Sequence, residues 1–209
     1  MRQLWPLASL AVLAASAALV SSLHPARAQR AKARAPSTAP ASSLDIARYA
    51  ANGDLALPPD IARWIALGSG VGGNYSDAPF DPANPGFITV VQMEPRAYDY
   101  FLGNRRYADG TMLLLSVYRV QSKPDPALQG YVQGGLVQRE IHVVDRERFP
   151  EEGRAFFVFQ PAAEQAARIP LRSRCFECHS QHGDFDGTFT QFYPPLRPFL
   201  AQDEPASPR

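Results

Sequence analysis

The chain has only two cysteines in 209 residues, and that scarcity excludes a good deal. An iron–sulfur cluster needs four thiolates. Structural zinc draws on two separated ligand pairs, and no second pair has the required spacing. Lysine is scarcer than its charge partners suggest. The two in the chain, Lys32 and Lys123, both lie in Pro-containing or Ala/Pro-rich stretches. With a formal net charge of +1 and no basic cluster in the body of the chain, nucleic-acid binding has no support. No second long apolar run follows the first, which argues against a multi-pass membrane protein. No internal repeat is visible, and strands do not alternate with helices in the βαβ manner that a thioredoxin-like dithiol requires.

What is present begins with MRQLWPLASLAVLAASAALVSSLHPARAQ. A basic head at Arg2 precedes a long Ala/Leu/Val/Ser run that closes on Ala26-Arg27-Ala28. This is the layout of a secretory signal peptide. An uncleaved anchor helix is the alternative, because the run approaches spanning length. The small-x-small site favours cleavage after Ala28 and export to the periplasm. Residues 29–43, QRAKARAPSTAPASS, contain no large apolar side chain and cannot offset the entropy of ordering, so they read as a flexible linker. Residues 201–209 read as a disordered tail. Residues 44–200 suit one domain with one core.

Within that domain, Leu44 to Tyr49 suggests a short helix, and LPPDIARWIALGSG a second, with Ile61, Trp64, Ile65 and Leu67 on one side and Gly68 at its exit. Val71 to Pro85 reads as loop. FITVVQM, TMLLLSVYRV, LVQREIHVV and RAFFVF read as strands. PRAYDYFLG reads as a helix opened by Pro95 and stopped at Gly103, and PAAEQAARIP as an Ala-rich helix between two prolines. Strands joined by turns with flanking helices predict an α+β fold, mainly antiparallel sheet, carrying a C-terminal attachment segment.

That segment is CFECHSQHGDFDGTFTQFYP, Cys175 to Pro194. A disulfide across two residues would close a small, strained loop and add little stability. Cys-x-x-Cys-His is instead the c-type haem attachment signature. Two thiols add across the two vinyl groups of one porphyrin, and the adjacent imidazole binds iron. The expected cofactor is one covalent haem c, with thioethers at Cys175 and Cys178 and His179 as the metal ligand. Export agrees with this, since bacterial haem attachment takes place beyond the cytoplasmic membrane.

The sixth iron position then decides function. His182, one helical turn past His179, cannot reach the opposite face of the ring. His142 sits mid-strand, where a histidine is a candidate distal ligand but is more often simply packed. Met93 and Met112 are ligand types used by electron carriers, yet both lie in apolar strand runs where methionine fills cores. An open or water-bound sixth site is the favoured expectation.

The motifs together resemble the cytochrome P-460 family and its relative cytochrome c′-beta. The resemblance runs through LPPDIARWIALGSG, EPRAYDYFLGNRRYADGT, EIHVVDRERFP and, most specifically, the haem motif followed by FTQFYP. It implies a sheet covering one haem face, five-coordinate iron and a homodimer. In hydroxylamine-oxidising members a lysine after the Asp-Gly-Thr turn is joined to the haem edge. Counted from Asp109-Gly110-Thr111, that position is Leu115. Glu140 matches a pocket carboxylate that assists proton transfer in those enzymes, although a solvated strand glutamate is the equal alternative. Phe80, in an Ala-Pro-Phe context, resembles a family residue that crowds the ligand pocket.

The expectation that follows is an exported mono-haem cytochrome whose five-coordinate iron binds small ligands such as NO or CO, with a redox partner protein. Two other readings stand beside it. One is a hydroxylamine- or NO-oxidising enzyme of the P-460 type, with Glu140 as the catalytic proton acceptor. The other is a simple electron-transfer cytochrome.

Overall fold

Backbone polar groups of a β-branched, apolar segment are satisfied most fully in a ladder, and the chain builds one of five strands, four of them the apolar runs expected as strands. A computed structural model describes residues 43–73, 79, 81–122 and 130–200. The proposed leader, the linker as far as residue 42, the tail, Phe80 and Lys123 lie outside the described residues. In chain order the elements are β1 (Leu55–Ala56), β2 (Ile65–Gly73), β3 (Phe87–Met93), α1 (Pro95–Asn104), β4 (Thr111–Ser122), β5 (Tyr131–Val144), β6 (Arg154–Phe159), β7 (Gln165–Ala166), α2 (Arg174–His182) and α3 (Arg197–Leu200). Strands β2 to β6 form one sheet in sequence order, every neighbouring pair antiparallel. A two-stranded ribbon joins β1 to β7. The α+β class holds. Among the described residues no helix is long and apolar enough to cross a bilayer.

Opposed residues in an antiparallel ladder share a face, and the register separates the two faces cleanly. Leu114, Ile141 and Phe157 lie across one another and are essentially inaccessible. The rings of Tyr49 and Phe149 cover them, with centroids 6.1 and 6.4 Å from that of Phe157. This is the core face. On the other side, the row Met93, Leu113, His142 and Phe156 is buried. The next row on that side, Val91, Leu115, Glu140 and Val158, is only half-buried.

Helix α1 has the start its sequence predicts. Pro95 occupies the first turn and the Glu94 side chain accepts from the Ala97 amide at 3.0 Å. It passes through the expected stop at Gly103 and ends at Arg105, which takes the left-handed conformation.

Three expected helices do not form. LPPDIARWIALGSG becomes a single 3-10 turn at Ile61–Arg63 followed by β2. Its second half pairs with β3, which satisfies every alternate backbone group, whereas a helix there would leave the sheet edge open. Glycine suits the tighter of two positions here: a Cβ on Gly70 would come within 3.1 Å of Thr89 Oγ1, whereas one on Gly68 would make ordinary contact with the Phe192 carbonyl oxygen at 3.6 Å. The expected loop at Val71 to Pro85 is accordingly strand as far as Gly73. PAAEQAARIP runs extended along the sheet, with β7 paired to β1 and the Ile169 amide donating to Phe156. Ten residues are too few to hold a helix without tertiary packing. Leu44 to Tyr49 is irregular, with a turn at Asp45 and Ile46, and its Leu44 amide is bonded to the Asp109 carbonyl.

Candidate functional site

The segment after β7 folds into α2, with Ser173 in extended conformation at its N-terminal boundary. Helical spacing puts Cys175 and His179 one turn apart on one face, with Cys178 beside them. Phe176 anchors the helix by packing edge-on against Phe156 of β6, centroids 4.8 Å apart. Both thiols are free, Cys175 half-buried and Cys178 exposed. Burial pushes the Cys175 thiol up, and the charge of Glu140 pushes it further. Helix α2 thus lies against the buried row of the outer sheet face, and its first cysteine stands next to the half-open row.

The His179 imidazole is caged by three rings. Phe156 lies 4.5 Å away, Phe189 4.6 Å, and His142 5.2 Å and perpendicular. Its Nδ1 is 2.6 Å from the Gly187 carbonyl oxygen. A carbonyl only accepts, so Nδ1 carries the proton and the lone pair is left on Nε2. Burial holds the His179 pKa below its ordinary value, Arg154 adds to that effect, and the Gly187 bond opposes it. The neutral tautomer with a free Nε2 is the form in which imidazole ligates a metal.

Gly187 is presented by a tight corner. Asp186 and Gly187 have φ of 51° and 66°, and the Thr188 amide donates to Phe185 at 2.8 Å. Two successive positive φ values are the signature of a type I′ turn, for which Asp-Gly is a favoured sequence. Thr188 and Thr190 continue to the buried Tyr107, whose hydroxyl is 2.7 Å from Thr190 Oγ1. The aromatic rings of Phe101, Tyr107 and Phe185 meet around it.

Leu115 and Glu140 are cross-strand partners on β4 and β5 and share the outer face. Glu140 Oε1 accepts from Gln138 Nε2 at 2.6 Å. His142 is two residues farther along that face, fully buried with an unpaired Nε2, and burial drives its pKa well down. Two imidazoles on opposite sides of one metal, at about 2 Å per bond, have centroids about 6 Å apart. At 5.2 Å, with Phe156 against both rings, His142 and His179 are in direct contact. His142 packs beside His179 rather than opposite it, the alternative role raised for a strand histidine. Met93 and Met112 are both core residues without exposure. Met112 is on the opposite face of the sheet from Leu113 and Leu115, by strand alternation. His182 is exposed at the end of α2.

Sequence reasoning did not anticipate the roles of Phe156 and Gly187. The Asp-Gly pair was the available signal for the second. Phe156 gave none, since a strand phenylalanine is equally at home on either face. Among the described residues no three His, Cys, Asp or Glu side chains converge to hold a metal ion directly. The donors that do converge are one imidazole and two thiols beside an apolar platform half open to solvent. That set fits a flat, largely apolar group bringing its own metal.

The Cytochrome P460 family model matches residues 64–190, well over half of the chain, and the chain belongs to that family, a family of haem-binding cytochromes. No curated protein matches it.

Proposed function

We propose that the protein is an exported, periplasmic mono-haem c-type cytochrome that binds small, weakly polar ligands such as NO or CO at five-coordinate iron. Cys175 and Cys178 would hold the haem by adding Sγ–H across its two vinyl groups, each proton passing to a vinyl carbon. His179 would offer Nε2 to iron. The bound group supplies one iron with a free coordination position and a one-electron couple. The chain supplies everything that selects what reaches it.

The observation carrying this reading is the pairing of Leu115 with Glu140 on the half-open row next to Cys175. Leucine gives bulk without a donor, so a bound anion or water gains no polar partner from it, while a diatomic loses little. The lysine that crosslinks the haem edge in hydroxylamine-oxidising members is absent at this position. The family resemblance also supports a homodimer and a redox partner protein. Adding NO and CO to the reduced, haem-loaded protein tests the reading. New ligand-bound spectra are expected, and a six-coordinate iron unresponsive to both would remove it.

Glu140 itself favours a second reading. Its carboxylate is oriented by Gln138 on the same face as Leu115, where it can accept a proton from a bound hydroxylamine. That reading requires turnover with hydroxylamine and an artificial electron acceptor, abolished in Glu140→Gln. A lack of turnover in the wild-type protein excludes it.

A further inference from the structure

The corner that presents Gly187 to His179 is held from two sides by arginines. Arg146 lies just beyond β5. Its Nη2 donates to Asp186 Oδ2 at 2.8 Å, its Nη1 to Asp109 Oδ1 at 2.8 Å, and its backbone amide to the same Asp109 oxygen at 2.9 Å. Asp109 belongs to the turn that starts β4, and its carboxylate is nearly buried. Arg154, at the start of β6, lies against Gly187 so closely that a Cβ there would come within 2.6 Å of Nη1, and its Nη2 donates to Ser180 of α2 at 2.6 Å. Asp186 is one of only two non-glycine residues with positive φ among those described. A residue held in that conformation relaxes unless its surroundings fix it.

We propose that Arg146 is a positioning residue for the His179 imidazole: by pinning Asp186 to Asp109 it holds the Gly187 carbonyl on Nδ1–H and thereby sets the donor strength of Nε2. The inference rests on His179 being the haem ligand. The physical route is short. The Nδ1–H···O=C bond transfers electron density toward Nε2 and raises its basicity, and outer partners of a ligating histidine change its metal affinity about 10- to 100-fold when lost. Without Arg146 the Asp186 carboxylate loses its hydrogen-bonded cation, the left-handed corner keeps only the support of Arg154 on its other side, and the carbonyl drifts from Nδ1. The pair is forty residues apart in sequence, so its effect on His179 is a property of the fold and not of the attachment motif.

The test compares Arg146→Gln and Asp186→Asn in the haem-loaded protein. Asparagine tolerates the left-handed conformation, so the second variant keeps the corner foldable while removing the charge. Arg96→Ala, which breaks an ion pair at the start of α1, is the control. The iron–histidine stretch of the reduced protein should fall in both variants and not in the control. Release of His179 on NO binding should become about tenfold more favourable. The double variant should shift no further than either single one, because both cut the same link. Additive shifts, or an unchanged stretch in Asp186→Asn with full haem content, would overturn the assignment. A wild-type protein that carries haem but shows no iron–histidine stretch would instead refute the ligand role of His179, and the inference with it.

Discussion

Leu115 stands directly across the β4–β5 ladder from Glu140, so a side chain with no polar atom and a carboxylate share one stretch of the outer sheet face. Neighbours this close act on the same bound molecule. Leu115→Lys introduces a charged donor there, and a charge-assisted hydrogen bond contributes about 1.5–3 kcal/mol. Azide should then bind the ferric haem-loaded protein roughly tenfold more tightly or better. Part of the gain is spent on Glu140, since opposed charges across a ladder attract by about 0.2–1 kcal/mol. Leu115→Lys combined with Glu140→Gln should therefore exceed the single change. Absorbance titrations measure both, and equal azide affinities in wild type and variants would show that Leu115 does not face the ligand.

The two thiols make separable predictions. Cys178→Ser leaves Cys175 able to form one thioether, so the haem should stay attached through acid extraction while the haemochrome band moves toward that of a haem with one intact vinyl. Replacing both cysteines by serine should leave a haem that acid acetone removes, with His179 still available for ligation. Mass spectrometry of the denatured chain distinguishes the cases. A double variant still carrying the mass of haem would locate the covalent bond elsewhere.

The sequence patterns were readable where local chemistry and the ladder agree. FITVVQM and RAFFVF have β-branched or aromatic runs that suit a strand on any account, and PRAYDYFLG carries its own start. IALGSG misleads because its helical spacing of apolar residues is overruled by pairing with β3, whose partner residues lie 19 to 28 positions farther along the chain. PAAEQAARIP misleads through alanine, whose helix propensity has too few residues over which to act. The same division holds for the site. Cys175, Cys178 and His179 are legible because the proposed attachment chemistry would fix their spacing. The Phe156, Phe189 and His142 cage is assembled from three separate segments, and no local pattern encodes which strand residues will meet a helix that follows them.

Tyr107 gives a stability prediction with a pH signature. It is fully buried, and burial pushes its hydroxyl up to about 12, with hydrogen bonds to Thr188 and Thr190 opposing. The unfolded phenol ionises near 10 while the folded one stays neutral, so the unfolded state binds fewer protons above pH 10. Stability is therefore complete below pH 10 and falls as pH rises toward 12, by about 1.4 kcal/mol per pH unit for this group. Tyr49, also raised to about 12, adds to the same limb. Tyr107→Phe should cost about 1–2 kcal/mol at neutral pH, because it strands the threonine hydroxyls, and should flatten the alkaline decline. Urea unfolding at pH 7 and at several values above 10 reads both. An equally steep decline in the variant would assign it to other groups.

Gly110 and Gly53 separate two costs that usually travel together. Both have strongly positive φ, 83° and 87°. A Cβ on Gly53 would meet nothing within 4 Å, whereas one on Gly110 would run into the Leu44 carbonyl oxygen. That oxygen cannot retreat easily. Leu44 is tied to Asp109 by its amide at 2.7 Å, and the Gly110 amide is itself bonded to Val144 at 2.8 Å. Gly53→Ala should therefore show the conformational cost alone, about 1–2 kcal/mol. Gly110→Ala should add a steric cost of about 1–3 kcal/mol and loosen the segment that begins at Leu44, which then loses its place against the turn holding Asp109. Thermal and urea unfolding give the two values, and hydrogen exchange at the Leu44 amide reports the local opening. Equal losses in the two variants would mean that the Leu44 segment yields freely, and that the Asp109 end of the Arg146 link is held by its own turn and not by the segment laid over it.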